Sequence, residues 1–325
     1  MAGGPTSPQL VIAAAQSGSL GFLAAGYKTA DGIAAQIREV RAATATFGVN
    51  LFAPNPVPVD PADFAHYAEA IQPVADRYDI DVRAVRPVED DDAWQDKIDV
   101  LLADPVPVVS FTFGLPPAST IQALRRAGSL TIQTVTSADE ARLAESAGVD
   151  ALAVQASSAG GHWGTWTPDA PPRQLPLAEL VASVRAVTSL PIVAAGGIST
   201  AAAVADTLRA GADAVAVGTV LLRADESPAS DVHKAALADA QRTRRVLTRA
   251  FSGRPAGGLV NEFTTRYDAI APLGYPAIHY LTSPLRKAAA AAGDPELVNL
   301  WAGTGYRDAT AEPVATILQR LGAGA

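Results

Sequence analysis

The chain has 325 residues, of which 49% are hydrophobic and 18% charged, so it is long enough for two domains or one large α/β unit and is not disordered. A net charge of −8 argues against nucleic acid or an anionic membrane as a partner. The absence of cysteine excludes disulfides, iron–sulfur clusters and thiol nucleophiles, and with four histidines we predict no metal site. No basic residue precedes the apolar stretch 10–25, so we predict no signal peptide and a cytoplasmic location.

Short β-branched runs alternate along the chain with longer amphipathic runs, which is typical of a βα repeat. A helix over 8–17 comes first. The predicted strands are 21–24, 49–52, 106–111, 130–134, 151–155, 192–195 and 214–217, and the predicted helices between them are 31–46, 61–78, 118–126, 138–146, 177–187 and 201–210. Ser137 is a predicted N-cap, and Gly148 and Gly211 are predicted to end their helices.

The phrases Ser146-Ala-Gly-Val-Asp-Ala and Arg209-Ala-Gly-Ala-Asp-Ala each lead into a strand, which favours a closed (β/α)₈ barrel over an open sheet. Only seven strands are found, and the missing one is the first, because no strand precedes the helix over 8–17. We therefore expect a TIM (β/α)₈ barrel that lacks its first strand, and we expect the native protein to begin upstream of Met1.

The barrel is predicted to span 1–222, with an acidic insertion at about 81–103 that forms an extra helix outside the barrel. Residues 223–325 are predicted to form a helical C-terminal region, with helices around 231–249, 284–292 and 313–321, that packs over the barrel mouth. The acidic run 89–92 is interpreted as a solvated face.

Glycines follow the last two predicted strands, as Gly196-Gly197 and as Gly218 before Thr219. In this fold the active site lies at the carboxyl ends of the strands, and the loops after the last two strands commonly bind phosphate. Backbone N–H groups reach an anion closely where no side chain intervenes. The pattern indicates a phosphate site, against the alternative that the glycines only form tight turns.

The loop 154–165 leaves the end of a predicted strand and contains Gln155. It also contains one histidine, His162, which is flanked by glycines. A histidine at the barrel mouth is a candidate general base or acid, and a glutamine amide suits the edge of a heterocycle. Asn50 is a polar residue within a buried strand, with a ligand or a core partner equally open. Ser110 and Thr112 are weaker candidates. The remaining histidines, His66, His233 and His279, are interpreted as mostly structural, with His279 near the mouth.

Seven segments along the chain form a recognisable set of motifs: Met1-Ala-Gly-Gly-Pro, Gly48-Val-Asn-Leu-Phe, Val109-Ser-Phe-Thr-Phe-Gly, Ala159-Gly-Gly-His, Ala194-Ala-Gly-Gly-Ile, Val217-Gly-Thr and Leu300-Trp-Ala-Gly-Thr-Gly. Together they resemble the FMN-dependent nitronate monooxygenases, formerly called 2-nitropropane dioxygenases. The resemblance runs in order from Met1 to about Gly305. It implies a barrel with FMN at its mouth that oxidises alkyl nitronates with O₂ to a carbonyl compound and nitrite.

The resemblance also implies roles for individual residues. His162 would be the catalytic histidine, as a base toward a neutral nitroalkane or as a positioning group for the nitronate, and Tyr275 and Tyr280 would shape the substrate pocket. The implied FMN-binding residues are Met1, Ala2, Gly3, Asn50, Gln155 and Gly160, with Gly197, Ala216, Val217, Gly218 and Thr219 at the phosphate.

Three alternatives stay open from the sequence. The same barrel and FMN could serve an NAD(P)H:quinone or enoyl reductase. A flavin-free barrel enzyme that binds a sugar phosphate would use the same glycine loops, although no lysine stands at a strand end for a Schiff base. The last alternative is a truncated barrel that binds without catalysis. The expected partners are a small-molecule substrate and O₂, and the sequence does not specify an oligomeric state.

Overall fold

A curled sheet of seven parallel strands is the centre of the computed structural model, which describes residues 1–323. Its strand order is β1-β2-β3-β4-β5-β7-β8, so each strand pairs with its neighbour in the barrel sequence. The strands are β1 (Gly21–Ala24), β2 (Phe47–Phe52), β3 (Val108–Thr112), β4 (Leu130–Val135), β5 (Ala151–Gln155), β7 (Ile192–Ala195) and β8 (Ala214–Ala216), while β6 (Gly161–His162), β9 (Arg245–Thr248) and β10 (Ala256–Leu259) form a second sheet.

Helices cover the outside of the curled sheet and build the C-terminal region. They are α1 (Pro8–Gln16), α2 (Ala30–Ala43), α3 (Pro61–Ala75), α4 (Trp94–Ala103), α5 (Ala118–Arg126), α6 (Ala138–Ala147), α7 (Leu177–Arg185), α8 (Ala201–Arg209), α9 (Asp231–Ala238), α10 (Glu262–Tyr267), α11 (Ala277–Ala291) and α12 (Val314–Gly322). Ser137 caps α6 by accepting from Glu140 N, as predicted, and Gly148 ends it in a left-handed conformation.

The register of the sheet aligns the carboxyl ends of the strands along one rim. Asn50 pairs with Ser110 across β2 and β3, and Gln155 pairs with Ala195, which in turn pairs with Ala216. The loops that follow β5, β7 and β8 therefore start side by side. This rim is the barrel mouth, where the fold class places its active sites.

The seven-strand prediction is confirmed, with β1 and β8 at the two edges of the sheet. Near these two edge strands, α1 packs against β1 and α12, and α12 packs against α8. Leu10 of α1 belongs to one buried cluster with Val314 and Ile317 of α12. Helices α1 and α12 thus bury apolar surface beside the edge strands, although Ala214 and Ala216 of β8 stay exposed.

The expected extra helix outside the barrel is wrong for residues 94–103. Trp94, Ile98 and Leu101 of α4 are buried in the main core cluster, so α4 is a helix of the barrel layer between β2 and β3. It is α3 that leaves the barrel layer, because Phe64 and Tyr67 pack in the cluster of the C-terminal region. The acidic residues of 81–103 indicated a solvent-exposed segment, although α4 has an apolar face.

The C-terminal region contains strands as well as the predicted helices. The helix expected around 231–249 ends at Ala238, and 245–248 form β9 instead. β9 pairs with β10, and β10 pairs antiparallel with β6, which joins this region to the loop after β5. In the described chain no helix is long and apolar enough to cross a membrane.

Candidate active site

The loops after β5, β7 and β8 meet the segment 300–305 in a tight, glycine-lined concavity, which we call the cradle. A Cβ on Gly160 would stand 2.6 Å from Gly303 N and 2.7 Å from Thr219 Oγ1, and one on Gly197 would collide with Thr304 Oγ1. Gly197 also has a φ of +74°, which side-chain-bearing residues rarely adopt. Only glycine allows these backbones to approach so closely.

The cradle is suited to an anion. Across residues 1–323, the N–H groups of Gly197 and Gly218 donate to no other protein atom. α8 begins just beyond Gly197, and its N-terminus adds partial positive charge. Thr219 Oγ1 accepts from Gly303 N at 3.0 Å and fixes the opposite wall.

Arg245 braces the cradle from behind. Its guanidinium donates to Ser157 O at 2.7 Å, Ala159 O at 2.6 Å and Ala302 O at 2.8 Å. These bonds tie the loop after β5 to the segment around Ala302. The sequence analysis missed this residue, which lies on a strand that was predicted as a helix.

Gln155 fixes the histidine loop with both ends of its amide. Its Oε1 accepts from Gly164 N at 2.6 Å, and its Nε2 donates to His162 O at 3.3 Å. The loop is also held by β6, in which His162 pairs with Ala256 of β10. His162 is therefore rigidly placed two residues from Gly160 of the cradle.

Ser252 fixes the ring of His162. Ser252 Oγ lies 2.8 Å from His162 Nε2 and 3.2 Å from Arg254 O. When the hydroxyl donates over the shorter distance, to Nε2, the imidazole proton lies on Nδ1; when it donates to the carbonyl, Nε2 is the donor and Nδ1 carries the lone pair. The turn at 252–254 thus orients the candidate catalytic histidine.

Burial lowers the pKa of His162 to about 3, and the positive charges of Arg254 and Arg286 act in the same direction. The imidazole is accordingly neutral at pH 7. In this neutral ring Nδ1 offers a bound molecule a hydrogen-bond donor or an acceptor, according to which nitrogen carries the proton.

Aromatic rings surround His162 and form what we call the aromatic cage. Ring centroids of Phe113, Tyr275 and Trp301 lie 5.5 to 5.6 Å from that of His162. Phe52 extends the cage against Phe113, and Tyr275 donates to the Tyr27 hydroxyl at 3.0 Å. Tyr275, a predicted substrate residue, is thus part of the aromatic cage.

Arg254 is a buried cation behind the cage. Its side chain is 0% exposed, and its guanidinium carbon lies 4.2 Å from the Phe113 ring centroid. It donates to Thr165 O, and within 1–323 it forms no ion pair with a carboxylate. The inner end of the site therefore carries a buried positive charge that Glu140, which accepts from Thr165 Oγ1, offsets without a direct ion pair.

A cavity of about 260 Å³ opens beside the cage at the ends of β1, β2 and β3. Its walls include Phe52, Phe113 and Tyr275, and its outer rim consists of the acidic run 89–92. Tyr280 lies at this rim rather than in the cage and donates to Asp90 Oδ2 at 2.7 Å. The cavity has room for a small molecule.

The interpretation of 89–92 as a solvated face is wrong for Asp92. Its carboxylate accepts from Tyr27 N at 2.8 Å and pairs at 2.7 Å with Lys97, a side chain that is 1% exposed. These bonds pin the acidic run to the barrel, so the rim is a fixed part of the cavity.

The other predicted site residues are spread along the mouth. Asn50 Oδ1 accepts from Ser110 Oγ at 2.8 Å and Thr112 Oγ1 at 3.1 Å, so this trio forms one polar group at the strand ends. Met1 lies against Gly218, with its sulfur 3.5 Å from the position of a Cβ there. Ala2 packs beside the cage, so 1–3 spans the mouth from the cradle to the cage.

The remaining histidines lie outside the centre of the site. His66 is exposed, and His233 is buried with Nε2 2.9 Å from Trp301 O. His279 lies near the mouth, as expected, where it stacks on Tyr27 with 4.3 Å between ring centroids.

Sequence reasoning missed several residues of the cage and its support. Tyr27, Phe52 and Phe113 stand at or just beyond the ends of three predicted strands. This position places a residue at the barrel mouth, so it could have identified them as site residues. No comparable signal marked Ser252 or Arg254, which reach the site only through the pairing of β10 with β6.

The fold and the site define a barrel enzyme with an anion cradle and a histidine-centred pocket at the carboxyl ends of its strands. The nitronate monooxygenase family model matches residues 1–324, and the chain belongs to this family of oxidoreductases. A probable nitronate monooxygenase from Staphylococcus aureus is 36% identical over 98% of this chain and 90% of its own length.

Solved structures agree with this assignment. A nitroalkane oxidase from Streptomyces ansochromogenes is 45% identical, with a TM-score of 0.93 over 99% of this chain and 93% of its own. FabK from Thermotoga maritima is 26% identical, with a TM-score of 0.75 over 99% and 89%. The likeness extends over nearly the whole chain in both cases.

Proposed function

We propose that this protein is an FMN-dependent enzyme that oxidises alkyl nitronates with O₂ to a carbonyl compound and nitrite. The observation that carries the proposal is the placement of a neutral His162, with a free Nδ1, between the glycine cradle and the aromatic cage. Membership of the nitronate monooxygenase family supports the reaction class.

The residues of the mouth fit FMN. The cradle offers free N–H groups at Gly197 and Gly218, in a space that a Cβ would fill, and this is the chemistry that a phosphate monoester requires. In our proposal the phosphate is held by residues 216–219 with Gly197, and the flavin ring contacts 1–3, Asn50, Gln155 and Gly160. Bound FMN would supply the redox chemistry by accepting electrons from the nitronate and passing them to O₂.

His162 would act on the substrate through Nδ1. Since burial and two nearby arginines lower its pKa to about 3, it is a weak base for removing a carbon-bound proton at neutral pH. A nitronate offers only acceptor oxygens, so His162 would position it by donating a hydrogen bond from Nδ1, in the tautomer in which Ser252 donates to Nε2. The buried positive charge of Arg254 favours the same anion electrostatically.

The Streptomyces neighbour is described as a nitroalkane oxidase, so the neutral nitroalkane is the competing substrate form. We expect the nitronate to be the better substrate here, because the nitroalkane requires a base that this site does not provide.

The test measures O₂ consumption and nitrite release by the FMN-loaded protein. Ethyl nitronate and nitroethane are compared at neutral pH, each freshly prepared so that little interconversion occurs. The proposal expects a clearly higher kcat/KM for the nitronate. Equal or better use of nitroethane would overturn the positioning role of His162, and no turnover of either compound would overturn the proposed reaction. Flavin reduction by NADPH instead would support the reductase alternative.

A further inference from the structure

Tyr27 occupies a strained turn directly after β1. Lys28 N donates to Ala25 O at 3.1 Å and closes the turn, in which Tyr27 has a φ of +64°. This left-handed backbone conformation favours glycine and is rare for a residue with a large side chain. The residue before it, Gly26, leaves room for the Phe52 ring, which a Cβ there would meet at 2.3 Å. The turn thus carries an aromatic side chain where the backbone disfavours one, as is common at ligand sites.

Three contacts hold Tyr27 in place, and none of them uses its hydroxyl group. The ring stacks on His279 with 4.3 Å between centroids, and it meets the Phe52 ring edge-on at 5.3 Å. The Tyr27 N–H donates to Asp92 Oδ1 at 2.8 Å. Held in this way, the residue forms part of the wall of the cavity beside the cage. A phenylalanine at this position would therefore keep the turn and its packing.

The hydroxyl groups of Tyr27 and Tyr275 form a pair. The Tyr275 hydroxyl donates to the Tyr27 oxygen at 3.0 Å. Two hydroxyl groups that share one hydrogen bond keep one proton for another acceptor. Tyr275 is only 8% exposed, whereas Tyr27 is partly exposed in the cavity wall. Within residues 1–323 the Tyr27 hydroxyl donates to no protein atom, so its proton is available to a molecule in the cavity.

The Tyr27 hydroxyl stays protonated over a wide pH range. Burial raises its pKa to about 12, although the hydrogen bond from Tyr275 and the positive charge of Arg286 act in the opposite direction. The group is accordingly neutral at pH 7 and well above it. A neutral phenol can donate a hydrogen bond to an anion, and bonds of this kind are stronger than those between two neutral groups.

Tyr275 connects this donor to His162. The Tyr275 ring centroid lies 5.5 Å from that of His162, and its hydroxyl oxygen lies 3.0 Å from that of Tyr27. His162 and Tyr27 therefore lie at the two ends of Tyr275. Each has one hydrogen-bonding group, Nδ1 or the hydroxyl proton, that no contact within 1–323 uses. A nitronate has two oxygens that accept hydrogen bonds, so two such groups match its head.

We propose that Tyr27 is a substrate-binding residue that donates a hydrogen bond from its hydroxyl to one oxygen of the nitronate, while His162 holds the other oxygen. This inference rests on the proposed function and adds a residue to its substrate site. It also accounts for the strained turn, because the backbone there places the Tyr27 ring in the cavity wall.

The test measures nitronate binding separately from chemistry. FMN-loaded protein is mixed with increasing ethyl nitronate in the absence of O₂, and the rate of flavin bleaching gives a half-saturating concentration and a limiting rate. The wild type is compared with Tyr27→Phe and Tyr275→Phe, each of which removes one hydroxyl of the pair. Tyr267→Phe is the matched control, because the buried Tyr267 hydroxyl in α10 has no hydrogen-bond partner within the described residues.

Tyr27→Phe should raise the half-saturating concentration roughly 10–100-fold, the usual effect of losing a hydrogen bond to a charged group, and should change the limiting rate by less than about three-fold. Tyr275→Phe should raise the half-saturating concentration less, because Tyr27 keeps its proton and loses only the bond that it accepts. Tyr267→Phe should bind the nitronate as the wild type does.

An unchanged half-saturating concentration in Tyr27→Phe would overturn the inference. An equal or larger rise in Tyr275→Phe would overturn it as well, since the free proton would then belong to Tyr275. A similar rise in Tyr267→Phe would show that the effect is not specific to this contact and would also count against it. If the wild type itself does not bleach, the proposed function fails, so the two failures are distinguishable. The flavin spectrum of each variant before mixing shows whether the cofactor site is intact.

Discussion

The two sides of the barrel mouth are built in opposite ways. The cradle is made of backbone and small residues such as Gly160, Gly197 and Thr219, and its shape and N–H groups are suited to an anion. The cage is made of large side chains around His162, and its charges come from buried arginines and an acidic rim. We infer that the cradle retains the cofactor and the cage acts on the substrate, so changes on the two sides should separate cofactor binding from turnover.

His162→Ala is expected to separate turnover from cofactor binding most clearly. Loss of the hydrogen bond from Nδ1 to the substrate should lower kcat/KM for a nitronate by roughly 10–100-fold, because a hydrogen bond to a charged group contributes about 1.5–3 kcal/mol. The visible spectrum should still show bound flavin, because the cradle is unchanged. His66→Ala, at an exposed histidine, is the control. Full activity of the His162 variant would end its catalytic assignment.

On the cradle side, Gly197→Ala should weaken FMN binding about 10–100-fold, because the new methyl group collides with Thr304 Oγ1 and the φ of +74° is strained. Titration of the apoprotein with FMN measures the effect. Gly128→Ala has a comparable strain at φ +100° with open space around the Cβ and should bind FMN normally. Equal loss in both variants would mean that strain, rather than the cradle, is responsible.

A smaller effect is expected when the cage loses only its orienting group. Ser252→Ala should reduce kcat about ten-fold with little change in KM, because Nε2 of His162 loses its hydrogen-bond partner and the ring is no longer held in one orientation. Ser252→Thr keeps the hydroxyl and should restore most of the rate. Loss of FMN from Ser252→Ala would indicate a structural role instead.

The smallest expected effect concerns acid stability. Burial lowers the pKa of His279 to about 2 and that of His162 to about 3, whereas the unfolded chain protonates these rings below about pH 6.5. The unfolded state therefore binds more protons between these values, and the free energy of unfolding falls as pH decreases.

Denaturant unfolding at pH 7 and pH 5 measures this dependence, which is at most about 1.4 kcal/mol per pH unit for each histidine. His279→Phe keeps a ring against Tyr27 and should flatten the dependence, whereas His66→Phe should not. An unchanged slope in His279→Phe would show that this ring is protonated in the folded protein.

The cradle could be predicted from the sequence because its glycines follow their strands directly, and the strand register brings neighbouring loops together. Strands 21–24, 151–155 and 192–195 were predicted with their observed bounds, since buried parallel strands are short, uninterrupted apolar runs.

The cage could not be predicted as a whole, because its rings come from segments as distant as Tyr27 and Trp301. Only the antiparallel pairing of β6 with β10 brings Ser252 to His162, and the local sequence of β9 reads as a helix. Contacts between distant segments decide these parts of the structure, and no local pattern reports them.

The central claim is that the cradle holds FMN within reach of a nitronate bound in the cage. Anaerobic mixing of the FMN-loaded protein with isopentyl nitronate, followed by absorbance of the oxidised flavin, tests it most directly. The account predicts rapid bleaching that is nearly abolished in His162→Ala and recovery of the oxidised spectrum when O₂ is admitted. A flavin that stays oxidised in the wild type under saturating nitronate would contradict it.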